Sequence, residues 1–77
     1  MYLMASVQIM SPAEIKETRL ALGWTQDRMA TALGVGKSTV SHWEKGIRHP
    51  HGSAEILLNH YRDMALRDSR KKLAQTD

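Results

Sequence analysis

Residues 25–46 read Thr25-Gln26-Asp27-Arg28-Met29-Ala30-Thr31-Ala32-Leu33-Gly34-Val35-Gly36-Lys37-Ser38-Thr39-Val40-Ser41-His42-Trp43-Glu44-Lys45-Gly46. Two short apolar stripes of helical period are separated here by glycines. The spacing predicts a helix from Gln26 to Leu33, capped by Thr25, ended by Gly34 and facing inward with Met29, Ala30 and Leu33. A second helix is expected from Lys37 to Lys45, with Gly36 at its N-cap and Gly46 after its last turn. Val40 and Trp43 point inward on it, and Glu44 reaches the same way. The pairs Trp24/Met29 and Val35/Val40 have the spacing of hydrophobic staples across the two helix starts. Ala30 is small where the helices must cross closely, and Gly34 lies in the turn. Two short helices joined by a tight glycine turn make a helix-turn-helix.

Inside this stretch, Gly34-Val35-Gly36-Lys37-Ser38-Thr39 looks like the end of a phosphate-binding loop. That motif needs a further glycine five residues before the Gly-Lys pair, where this chain has Thr31. It also needs a preceding strand, and a helix stands there instead. The two glycines are helix punctuation, and no nucleotide site is expected.

Outward from this centre, Ser11-Pro12-Ala13-Glu14 opens an earlier helix. Serine suits the N-cap, proline the first helical position, and Glu14 the reciprocal position of a capping box. Met10 and Ile15 form its staple. Ile15, Leu22 and the aliphatic part of Arg19 share one face, and Gly23 ends the helix. After the broken loop Ile47-Arg48-His49-Pro50-His51-Gly52, a fourth helix is expected from Ser53 to about Leu66. Ala54, Leu57, Leu58, Tyr61 and Ala65 form its apolar stripe. The basic, polar tail 67–77 either frays or extends that helix. Residues 1–10 form an N-terminal extension in which Leu3, Ala5, Val7 and Ile9 alternate with Tyr2, Met4, Ser6 and Gln8. Such a segment either stays loose, as chain ends commonly do, or pairs as a short strand with another subunit. The helix-turn-helix domain proper is then 11–66.

Composition narrows the function. Seventy-seven residues make one small domain, and at this size only about 60–65% of the unfolded chain's surface is buried. There is no cysteine, which excludes a disulfide scaffold and a thiolate-bound zinc and suits a cytoplasmic protein. No apolar run approaches a membrane span, and residues 1–10 make a poor signal peptide. The net charge of +3 points mildly toward nucleic acid. No nucleophile with a supporting base and no carboxylate cluster is present, so a non-enzyme without cofactor is expected. His42, His49, His51 and His60 lack matching ligand spacing, so no metal is expected either.

The segments Leu22-Gly23-Trp24-Thr25-Gln26, Leu33-Gly34-Val35 and Val40-Ser41-His42-Trp43-Glu44-Lys45-Gly46, followed by Pro50, resemble the lambda-repressor-like (Xre/Cro) DNA-binding family over about residues 13–62. The resemblance implies an all-α, compact domain of four to five helices, acting as a sequence-specific, double-stranded DNA-binding transcriptional regulator and repressor. Gly36 departs from the Ser or Thr that members often carry, at little cost to capping.

With Val40 and Trp43 inward, spacing turns Lys37, Ser38, Ser41, His42 and Lys45 outward. By family position Lys37, Ser38 and His42 are the expected base readers in the major groove, with hydrogen-bonding chemistry suited to base edges. The resemblance also makes Gln26 a phosphate anchor, aided by its helix N-terminus. Thr39, Ser41, Lys45 and Arg48 are further candidates for phosphate contacts. Arg19 and Glu44 stand where members carry a buried ion pair.

The expected partners are operator DNA on a two-fold site and a second copy of the chain. Dimerisation would use Tyr61, Met64 and Leu66 of the fourth helix, or the N-terminal strand. The run Pro50-x-Gly52-x-Ala54-x-x-Leu57-Leu58 also looks like small antitoxins of that family. The alternative is therefore an interaction module that neutralises a toxin protein and autoregulates its operon. No membrane or nucleotide partner is expected.

Overall fold

A computed structural model describes residues 10–75 of the chain, with side chains through Arg67. Four helices follow in order: α1 (Pro12–Ala21), α2 (Gln26–Leu33), α3 (Lys37–Lys45) and α4 (Ser53–Gln75). No strand occurs among the described residues. The alternating stretch of the N-terminal extension lies outside them.

Each helix begins as its local sequence dictates. Ser11 Oγ accepts from the Glu14 amide at 3.1 Å, and Glu14 Oε1 accepts from the Ser11 amide at 2.8 Å, which completes the capping box. Thr25 Oγ1 accepts from the Arg28 amide at 3.1 Å. Gly36 caps α3 with backbone alone.

The first three helices end alike. After α2, Gly34 takes the left-handed conformation at φ 72°, with its amide on Thr31 O and the Val35 amide on Ala30 O at 2.9 Å. This Schellman closure reverses the chain within two residues and lets α3 start at Lys37. Equivalent amide pairs close α1 on Leu20 O and Arg19 O, and α3 on Trp43 O and His42 O.

Apolar residues from all four helices meet in one core. Met10, Ile15, Met29, Val40 and Leu58 are its most completely buried large side chains, with Ala30, Leu33, Trp43 and Ala54 around them. Trp24, Val35, Leu57 and Tyr61 pack against it, half-buried. The Trp24 and Tyr61 rings meet edge to face with centroids 5.0 Å apart, and the Arg28 guanidinium lies 5.6 Å from the Trp24 ring centre. Tyr61 therefore packs within its own chain.

Two details go beyond the sequence reading. Thr18, rather than Leu22, is buried beside Ile15 on α1, while Leu22 is half-buried. Thr18 lies three residues after Ile15, on the same face, and its methyl suits an apolar setting. α4 continues nine residues past Leu66, so the tail extends the helix through Gln75. The added residues, Arg67 to Gln75, contain neither glycine nor proline and include good helix formers.

Candidate nucleic-acid interface

The direction in which α3 faces follows from its anchors. Val40 is fully buried and Trp43 is 4% exposed. At about 100° of rotation per residue, the direction opposite these two passes between Ser38 and Lys45, with Ser41 and His42 on either flank. Exposure agrees: Ser38 and Lys45 are exposed, while Ser41 and His42 are half-buried. Lys37 lies nearer the edge of this face, at the first turn, and is exposed. Thr39 is half-buried on the other side, closer to the body of the protein. The structure thus brings Ser38, Ser41, His42 and Lys45 onto one stripe, with Lys37 at its N-terminal corner and Thr39 off it.

The only acidic residue of α3 is kept off that stripe. Glu44 turns inward and takes a two-pronged contact from Arg19 of α1: Nε donates to Oε2 at 2.7 Å and Nη2 to Oε1 at 3.1 Å. The two side chains are only 11% and 6% exposed. Burial pushes the Glu44 carboxyl up. Hydrogen bonds from Arg19 and Gln26, with the charges of Arg19 and Lys16, outweigh that and hold it below the ordinary glutamate range. The hydrogen bond to Glu44 also raises Arg19, against its own desolvation.

Arg19 reaches further. Its Nη1 donates to the Trp24 carbonyl at 3.0 Å, just ahead of the Thr25 cap of α2. Gln26, the first residue of α2, donates from Nε2 to Glu44 Oε1 at 3.2 Å. One guanidinium and one carboxylate therefore join α1, the start of α2 and the inward edge of α3. The Arg19–Glu44 contact joins residues 25 apart. The Gln26–Glu44 bond joins residues 18 apart, with no local signal to announce it.

Beyond α3, the chain leaves through an exposed loop carrying Ile47, Arg48, His49 and His51, with Pro50 buried beneath. Arg48 is exposed on the segment that directly follows the outward stripe of α3. Among the described residues, no group of three or more histidine or acidic side chains is arranged to hold a metal ion.

A family model described as helix-turn-helix matches residues 15–54, just over half of the chain. The chain belongs to the lambda-repressor-like helix-turn-helix family. No curated protein is similar enough to the chain to count as a relative. The matched span runs from the first core residue of α1 through the start of α4, and contains the Arg19–Glu44–Gln26 network and the outward stripe. As a helix-turn-helix family member, the protein is a DNA-binding regulator. No helix of the described residues is long and apolar enough to cross a membrane.

Proposed function

We propose that the protein is a repressor that reads operator DNA with α3 in the major groove. The observation that carries this is the inward anchoring of Val40, Trp43 and Glu44, which leaves α3 with an outward face free of carboxylates. Lys37 and His42 donate to acceptors such as guanine O6 and N7, and Ser38 serves either kind of base edge. Gln26, Thr39, Ser41, Lys45 and Arg48 contact phosphates and set the register of the helix on the duplex. Thr39, off the stripe, meets the strand on the groove wall nearest the protein.

One short helix makes few base contacts, so the protein binds as a homodimer on a two-fold site, with recognition helices about 34 Å apart. Leu66 of α4, 52% exposed, and half-buried Met64 belong to that dimer surface. Tyr61 contributes less, since its ring is engaged with Trp24. The antitoxin alternative receives less support: in the run that suggests it, Pro50, Ala54 and Leu58 are buried in this domain.

The roles are tested by substitution. Lys37→Ala and His42→Ala should each relax sequence preference by about 1–3 kcal/mol, the worth of a base-edge hydrogen-bonding pair. Gln26→Ala should weaken operator and random duplex alike. Equal losses on both duplexes from all three variants would overturn the division of labour.

A further inference from the structure

We propose that Glu44 positions Gln26 for the DNA backbone, holding the carboxamide so that one N–H stays on the protein while the other meets a phosphate oxygen. This rests on the proposed phosphate role of Gln26. It adds a second task to an ion pair that otherwise only joins helices.

The chemistry follows from donors and acceptors. An ionised carboxylate only accepts. Glu44 Oε1 already receives Arg19 Nη2 at 3.1 Å, and Gln26 Nε2 approaches the same oxygen at 3.2 Å. A carboxamide facing such an oxygen must present nitrogen, never its own oxygen, so the two-fold choice of amide orientation is removed. The nitrogen carries a second hydrogen, and Gln26 is only half-buried at the start of α2. Flipped, the same side chain would turn a carbonyl oxygen toward an anion.

Arg19 makes the device workable. A bare carboxylate one amide away from a phosphate would repel it, and the bidentate guanidinium cancels that charge at 2.7 and 3.1 Å. By also holding the Trp24 carbonyl at 3.0 Å, Arg19 fixes the backbone from which Gln26 projects. The first turn of α2 and the amide therefore meet the backbone as one rigid unit, with side-chain freedom already spent before DNA arrives.

The test uses affinity for a random-sequence duplex, by fluorescence anisotropy at one pH and salt concentration, with Gln26→Ala, Glu44→Leu and the double variant. Circular dichroism supplies the folded fraction, to which each affinity is referred. Glu44→Leu leaves no acceptor for the amide and should lose about as much affinity as Gln26→Ala, roughly tenfold, because a freed amide no longer holds its phosphate. The double variant should lose no more than either single one. In the NMR spectrum of the free protein, the two Gln26 amide protons should be well separated in the wild type and draw together in Glu44→Leu. If Glu44→Leu does not fold, Glu44→Asp keeps the charge beside Arg19 and, one methylene shorter, withdraws from Gln26. It should show the same loss and the same NMR change.

Losses that multiply in the double variant, or wild-type affinity with Glu44 changed, would overturn the positioning role while leaving Gln26 a phosphate contact. Wild-type affinity in Gln26→Ala would remove the phosphate role itself, and the positioning proposal with it.

Discussion

Removing either partner of the Arg19–Glu44 pair should come close to unfolding this protein. Arg19→Met leaves a carboxylate 6% exposed with one amide donor in place of three, and Glu44→Ala leaves an 11% exposed guanidinium bound only to the Trp24 carbonyl. Stranding one charge of a buried pair costs about 3–5 kcal/mol. A domain of this length has a total stability of about 4–12 kcal/mol, so one substitution removes a large share of it. The double variant Arg19→Met/Glu44→Leu should behave differently. With both charges gone and the volume refilled by apolar groups, its loss should be smaller than that of either single variant, and close to nothing if the site packs well. Urea unfolding followed by circular dichroism gives the three values on one scale. Single variants within about 0.5 kcal/mol of wild type, the range of ordinary surface substitutions, would refute the idea that this pair is buried and structural. So would a double variant worse than the sum of the two.

Acid stability, turn geometry and the docking of α4 each supply a further prediction. Glu44 has its folded pKa lowered by its partners, so its stabilisation is present in full above the unfolded value of about 4.3 and is lost as pH falls through the folded one. Glu44→Gln should remove that part of the acid slope in a series of urea midpoints between neutral pH and about pH 3, and an unchanged slope would argue against it. Gly34→Ala should cost about 1–2 kcal/mol by urea unfolding, because a Cβ there meets no atom within 4 Å and only the left-handed backbone at φ 72° objects. A larger loss would indicate a packing role for the turn. Leu58→Ala, at a fully buried site where α4 meets the core, should cost about 2–5 kcal/mol in the same assay; a loss near zero would mean α4 is not part of the cooperative unit.

Much of the domain is legible in the sequence because its signals are local. Ser11, Thr25 and Gly36 mark helix starts, Gly23, Gly34 and Gly46 mark helix ends, and these boundaries reappear within a residue or two. The inward residues Met29, Val40 and Trp43 follow from helical period alone. What escapes such reading depends on packing between distant segments. Thr18 is polar by name, yet the packing of the helices leaves it buried. The length of α4 is open in the sequence because nothing in residues 67–75 stops a helix, while nothing in the core requires one. On α3, the outward direction of Ser38, Ser41, His42 and Lys45 can be read from the anchors. The hold of Glu44 on Gln26 cannot, because it depends on how α2 and α3 cross.

The most direct test is the affinity of the purified protein for a labelled duplex from its own upstream region and for a scrambled duplex of equal length, by fluorescence anisotropy across a salt series. Tighter binding to the upstream duplex, falling steeply as salt rises, is the expected result for a helix that reads bases from a phosphate-anchored frame. Equal, weak binding to both duplexes would contradict operator recognition by α3.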